Sequence, residues 1–320
     1  MDYVELSEVP NLENAILIGA FAGWNDAASA ASWAVKFLIN HWEATAFAEI
    51  GSADFYDFTE TRPRVRISNG AIRRVSWPST RFYVHRAPRV EGEQERGRQR
   101  DVVLMLGDEP QLNWKTYTEA IVRLCQQCQV RDVVLLGALA GEVPHTAPVR
   151  IIGAASDMTV LRRMRRANVE RANYEGPTGV LTVLQDSARK AGIPSASFWG
   201  TAPHYVSATP NLPVSEALLE KLSTVYHFNL RLTDLARAAR RFSARVSSLV
   251  AADPEVSAYV HELEQRAPGE QGESSGMRFA NDTSGVHSLP LDGELPSGEE
   301  AVRDVEEWLR QFRGEAGADS

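Results

Sequence analysis

Cysteine is almost missing: Cys125 and Cys128, both in the stretch LCQQC, are the 2 cysteines of a 320-residue chain. A tetrahedral zinc site needs four ligands, and no second pair stands nearby, so no metal is expected. A redox pair usually opens a helix, where the dipole lowers a thiol pKa. These cysteines close one, just before a strand at Asp132, and read as small helix residues with one facing the core. Long apolar runs are missing too. None approaches the ~20 residues that span a bilayer, and the acidic start MDYVELSEVP lacks a basic-then-apolar leader pattern. A soluble cytoplasmic protein without a membrane partner is expected. Basic charge is in deficit, with 34 Lys and Arg against 42 Asp and Glu, a net charge of -8 and a pI of about 5.5. Phosphate backbones repel such a chain, so no nucleic-acid partner is expected. The arginines of RRMRRANVER, Arg162 to Arg171, spread around a helix as a solvated or interface-rim face. Gly-X-Ser-X-Gly, His-Glu-X-X-His and Gly-X-Gly-X-X-Gly are all absent. No nucleophile announces itself, and no cofactor is expected.

What is present is ordinary globular composition, 43% hydrophobic and 24% charged, ample for a sizeable core. Apolar runs alternate with amphipathic segments. AILIGAFAG (15–23) predicts a buried strand and 26–42 an alanine-rich helix that can lie close to a sheet. ATAFAEIGS predicts a second strand. RVRIS, IRRVSW and RFYVHR alternate in period two, as in one antiparallel, half-exposed meander. EGEQERGRQR (91–100) reads as a charged surface loop. Strand DVVLMLGDE, helix 112–128, strand DVVLLGALA, helices 159–167 and 180–191, and strand SASFWG complete the series. Such alternation predicts a mostly parallel sheet covered on both faces, mixed at one edge.

The remainder reads as helix. Leu232, Leu235, Ala239, Phe242, Val246 and Leu249 form a narrow seam with steps of three and four. DPEVSAYVHELEQ then starts cleanly, with Asp253 at the N-cap and Pro254 at the first helical position. This helical hairpin must bury its seam against its own partner helix or against another subunit. The stretch 267–298 is rich in Gly, Ser and Pro and predicts a flexible or irregular segment. A last helix over 299–313 carries Val302, Val305, Trp308, Leu309 and Phe312, and is expected to dock on the body or on a neighbour. The expected organisation is an α/β core domain (1–212), a helical extension (213–266), the irregular segment and the docking helix.

Ligands of open parallel sheets sit beyond the carboxyl ends of the strands. Here those ends are the polar places. The first strand exits into Asn25 and Asp26, the strand DVVLMLGDE into Asp108 and Glu109, the strand DVVLLGALA into Glu142, His145 and Thr146, and the last into His204 and Tyr205. Two Pro-His steps, Pro144-His145 and Pro203-His204, therefore share one rim if the strands run parallel. The lead-in YEGPTGVL adds Thr178 and Gly179, whose N–H groups at a helix start would face an anion or a carboxylate. Each residue also has a structural reading: Asn25 or Asp26, and Asp108 or Glu109, as helix caps, and the histidines as turn residues bonded to backbone. Together they form a candidate pocket in which two close carboxylates or a near-neutral imidazole could do proton chemistry.

The motifs GDEPQLNW, VPHTAP, EGPTGVL and GTAPHYVSATPN resemble the proteasome assembly chaperone family, second-subunit type, in its actinobacterial members, over about 15–263. The resemblance implies a three-layer α/β/α sandwich of phosphorylase/hydrolase-like topology followed by helices. It also implies a non-enzymatic, assembly-chaperone-like protein that binds a protein partner and forms a homo-oligomer, a trimer being one expected state. A small-molecule binder or hydrolase/phosphorylase-like enzyme at the strand ends is the alternative. Two features depart from the family: Ala147 stands where a basic residue often follows His-Thr, and the sequence closes on GEAGADS rather than a hydrophobic-Tyr-X tail.

Overall fold

A computed structural model describes residues 3–51, 54–68, 71–87, 100–206 and 210–266. Residues 91–99 of the expected surface loop (91–100), the irregular segment 267–298 and the helix 299–313 lie outside them.

The strands are β1 (Val4–Leu6), β2 (Ile16–Ala22), β3 (Thr45–Ile50), β4 (Arg64–Ser68), β5 (Ala71–Ser76), β6 (Thr80–His85), β7 (Val102–Asp108), β8 (Asp132–Gly141), β9 (Ile151–Ala155), β10 (Glu170–Arg171) and β11 (Ser195–Pro203). The helices are α1 (Ala30–His41), α2 (Trp114–Gln127), α3 (Met158–Arg166), α4 (Val180–Lys190), α5 (Leu212–Tyr226), α6 (Thr233–Ala251) and α7 (Pro254–Gln265). Nine strands form one sheet in the order β1-β3-β6-β7-β2-β8-β11-β9-β10. Its centre, β7-β2-β8-β11, is parallel throughout, while β6, β3 and β1 on one side and β9 on the other pair antiparallel.

The pleat sorts the core into two layers, because successive side chains point to opposite faces. Ile16, Ile18 and Ala20 of β2, with Val134, Leu136 and Ala138 of β8, pack with α1, α3 and α5. Leu17 and Phe21, with Val133 and Leu135, pack on the other face with α2 and α4. The fold is a three-layer α/β/α sandwich with a mixed sheet. Alanines at 30, 31 and 34 are fully buried and let α1 lie close against the strands. Both cysteines are free and buried at the end of α2, and burial pushes their thiols up.

One expectation is corrected. The three alternating segments do not form one meander. β4 and β5 pair only with each other in a separate two-stranded ribbon, while β6 enters the main sheet between β3 and β7. Phe82 of β6 is fully buried, whereas Val65, Ile67, Ile72 and Val75 of the ribbon are 48–69% exposed. The seam on α6, read as packing either on its own hairpin partner or on another subunit, is buried within this chain. Leu235, Phe242 and Val246 are 2–3% exposed and pack into the same core as α5, with Leu232 and Leu249 partly buried beside them. The other side of the hairpin, Val260 and Leu263 of α7, closes that core. Strands β9 and β10 had no separate sequence signal: IIGAA is short, and one of its two faces is only half covered.

A rim divided into two clefts

Because β7, β2, β8 and β11 are parallel, their carboxyl ends and all the sequence-predicted polar residues gather along one border. Apart from Asp26, they form two clusters, each beside its own cleft.

The first cluster surrounds Glu109, just past the end of β7. Its side chain is buried and its carboxylate accepts from Asn25 Nδ2 (2.5 Å), Trp24 N (3.1 Å) and Val180 N (3.2 Å). Val180 is the first residue of α4, so Glu109 itself occupies the helix N-terminus that GPTG opens. The carboxylate is the anion that this N-terminus faces, and the helix dipole favours it there. Desolvation nevertheless outweighs those donors and raises the Glu109 pKa. The approach is close enough to require glycine: a Cβ on Gly179 would stand 2.5 Å from Asn25 Oδ1 and 2.8 Å from Glu109 Oε1. Asn25 is 1% exposed, and its Oδ1 has no hydrogen-bond partner among the described residues.

Asp26, one residue on, turns away from this cleft. Its backbone bridges to Ala138 of β8, and its carboxylate accepts from Ala31 N (2.6 Å) and Ser32 N (3.3 Å). It caps α1 across a single 3-10 turn (Ala27–Ser29) whose Ala28 and Ser29 have φ of 50° and 51°. Burial pushes its pKa up to about 7. Asp108 lies beside Arg64 at 3.8 Å and accepts from Tyr56 through its backbone carbonyl. Glu109, Asp108, Thr178 and Gly179 line a cleft of about 1120 Å³ beneath the β4–β5 ribbon, where Arg62, Arg64, Arg66, Arg74 and Arg81 also face.

The second cluster holds both histidines. His145 Nδ1 pairs with Tyr205 Oη at 2.8 Å, its backbone N–H donates to the same oxygen at 2.7 Å, and Nε2 meets Ser247 Oγ of α6 at 3.0 Å. His204 Nδ1 lies 3.1 Å from the Gly141 carbonyl, and Nε2 lies 3.2 Å from Tyr259 Oη of α7. Thr146 Oγ1 donates to Glu264 of α7 at 2.6 Å, and Arg266 donates to Glu142 at 2.8 Å. The rings of His204, Tyr205 and Tyr259 meet edge to face, with centroids 5.6–6.2 Å apart. Four contacts thus tie the β8 and β11 loops to the helical hairpin. Burial lowers the His145 pKa and raises that of Tyr205 to about 12. His145 and Thr146, with Glu264 and Arg266, line a cleft of about 500 Å³ under the hairpin.

Sequence reasoning placed these residues on the rim but not their partners. Ser247, Tyr259, Glu264 and Arg266 lie about a hundred residues from His145 or Glu142, or 55 from His204. Only the polar faces of α6 and α7 opposite the seam could have suggested them. Among the described residues no cluster of three or more His, Cys, Asp or Glu is arranged to hold a metal. No described helix is long and apolar enough to cross a membrane.

The chain is therefore an α/β/α sandwich whose strand-end rim is half capped by its own helical hairpin. It belongs to the PAC2 family, whose profile matches residues 20–250. A PAC2 family protein from Streptomyces avermitilis is 39% identical, with a TM-score of 0.67 over 77% of this chain and 99% of that one. A proteasome-assembly chaperone homologue from Mycobacterium tuberculosis is 37% identical, with the same TM-score and coverage. The archaeal proteasome activator PbaB of Pyrococcus furiosus shares the fold at 17% identity, with a TM-score of 0.60 over 78% of this chain and 99% of that one. No curated protein matches the chain.

Proposed function

We propose that the protein is a non-enzymatic, assembly-chaperone-like factor of the cytoplasm that binds a protein partner. The observation that carries this reading is the use made of the rim. Glu109 caps α4, Asp26 caps α1, and His145 and His204 fasten the hairpin. An acid or base of catalysis must reach a substrate proton, and these groups already spend their polar atoms within the fold. Family membership and the homologue described as a proteasome-assembly chaperone support the same class. The partner to test first is a proteasome α-type subunit from the same cells. Self-association, a trimer included, belongs to the proposal, with an interface outside the buried α6 seam.

The test mixes the purified full-length chain with α-type subunits and follows complex formation by native mass spectrometry. A defined complex supports the proposal. If α-type subunits ignore the chain, and cross-linking in intact cells joins it to no protein, the reading fails.

A second reading, a small-molecule binder, draws on the 1120 Å³ cleft, whose size suits an organic ligand. A thermal-shift screen with nucleosides, phosphate and amino acids decides it. A ligand at 100 times its Kd adds about 2.7 kcal/mol and would be plain in the melting curve.

A further inference from the structure

The cleft of about 1120 Å³ opens where the sheet divides its connections. β2 leads through the 3-10 turn into α1 on one face, and β7 leads into α2 on the other. β2 and β7 are parallel neighbours. Neighbouring strands whose chains leave to opposite faces open a crevice beyond their carboxyl ends, and ligands of open α/β sheets sit in such crevices. Gly23 and Trp24 after β2, with Glu109 and Trp114 after β7, line this one. The β4–β5 ribbon stands over it as a two-stranded arm. Across the arm Arg66 pairs with Arg74 and Arg64 with Ser76, while Val65 pairs with Val75 between them. Side chains alternate along a strand, so the arginines share one face of the arm. Arg64, Arg66, Arg74 and Ser76 all line the cleft.

Charge and aromatic rings meet on these walls. The chain as a whole has a net charge of -8, yet the cleft sets Arg62, Arg64, Arg66, Arg74 and Arg81 against Glu60, Asp108 and Glu109. Glu109 faces three N–H donors of its own, Arg64 lies 3.8 Å from Asp108, and Arg81 donates to Glu49 at 3.3 Å. The excess positive charge is centred on Arg62, Arg66 and Arg74, all three exposed. Arg66 and Arg74 stand directly opposite each other. Like charges so placed cost stability, and a multivalent anion between them offsets that cost. Guanidinium forks take phosphate oxygens two at a time. Trp24, Trp77 and Trp114 line the same space. Trp114 Nε1 donates to the Pro110 carbonyl at 2.6 Å, which fixes its indole. Trp77 is 54% exposed and meets Phe58 edge to face at 4.9 Å. Indole faces beside cations make a platform on which a planar base stacks.

We propose that this cleft binds a nucleoside polyphosphate, with Arg62, Arg66 and Arg74 on the phosphates and the indoles of Trp77 and Trp114 beside the base. The class follows from the combination. A bare inorganic anion leaves the tryptophans unused, and a neutral nucleoside leaves the arginines unanswered. This inference rests on the second reading above, that the cleft holds a small molecule, and adds the chemistry of that molecule. It assigns no bond-breaking step: Glu109 and Asp26 remain helix caps.

The test is isothermal titration calorimetry of the full-length chain without added metal. The probes are adenosine and guanosine triphosphates, inorganic tripolyphosphate, the two parent nucleosides, amino acids and an oligoglutamate peptide. At least one triphosphate should bind about tenfold or more tighter than tripolyphosphate and than its own nucleoside, since phosphate and base contacts both contribute. Arg66→Glu with Arg74→Glu should weaken that triphosphate by about tenfold or more, because two charge-assisted contacts become repulsions. Trp77→Leu should weaken the triphosphate and leave tripolyphosphate unchanged. These side chains are exposed, so each variant should melt like wild type without ligand. Arg62→Glu repeats the charge test off the paired strands. Triphosphates that do not bind, that bind no better than tripolyphosphate, or that ignore these substitutions overturn the proposal. Oligoglutamate binding in their place overturns it as well. A nucleoside or amino acid that binds where triphosphates do not overturns the class and leaves the small-molecule reading standing. Silence from every probe counts against both.

Discussion

Glu109 shows how one carboxylate organises a corner of the molecule. Three donors from two segments converge on it, and Glu109→Ala leaves them without their shared acceptor. The expected loss is about 3 kcal/mol, read by urea unfolding, since each stranded buried donor costs about 1–3 kcal/mol. Gly179→Ala should destabilise by roughly 1–3 kcal/mol through overpacking against Asn25 and Glu109. A loss under a few tenths in either variant would mean that the cluster is loose. Asp26 makes a pH prediction. Its folded pKa, about 7, lies above the unfolded value of 3.8. The stability this shift contributes is therefore fully present below about pH 4 and lost as pH rises through 7. Asp26→Asn removes the titration, so the stability of wild type relative to Asp26→Asn should fall between pH 4 and 8. The slope is at most about 1.4 kcal/mol per pH unit. A flat difference across that range would show that Asp26 is not held protonated. His145 works in the opposite direction: its folded pKa is lowered, so protonation below about 6.5 favours the unfolded chain.

Elements were legible where their signal was local. Buried strands β2, β7 and β8 stand out as continuous apolar runs, and Asp253 with Pro254 marks the start of α7, where the Asp253 side chain accepts from Glu255 and Val256. Parallel order at the sheet centre followed from the alternation of strand and helix. What stayed hidden depends on distance. Nothing near His145 or His204 in sequence points to Ser247 or Tyr259, so the histidines look like free rim groups until the hairpin is placed. The β4–β5 arm looks like part of a sheet because period two is the same whether the apolar face is covered or not. The GPTG turn announces an anion site but not that Glu109, about seventy residues earlier, fills it. The hairpin can be tested as an element. Phe242→Ala should cost about 3–5 kcal/mol, as for a large core aromatic. His145→Ala with Tyr259→Phe should leave the sheet intact while speeding hydrogen exchange in α6 and α7. Unchanged exchange there would mean that the histidines do not fasten the hairpin.

At the scale of the molecule the account divides the labour. The sandwich and hairpin engage Glu109, Asp26, His145 and His204 of the rim, and among the described residues the arm gathers five exposed apolar side chains, Val65, Ile67, Ile72, Val75 and Trp77. This division supports the proposed role of a protein-interaction factor. The most direct measurement is native mass spectrometry of the full-length chain with α-type proteasome subunits from its own cells, with and without Glu109→Gln. The account predicts a stoichiometric complex that Glu109→Gln forms as well as wild type wherever that variant is folded. A chain that leaves the α-type subunits unbound but carries a small molecule in the cleft beside Glu109, released by Glu109→Gln, would contradict it.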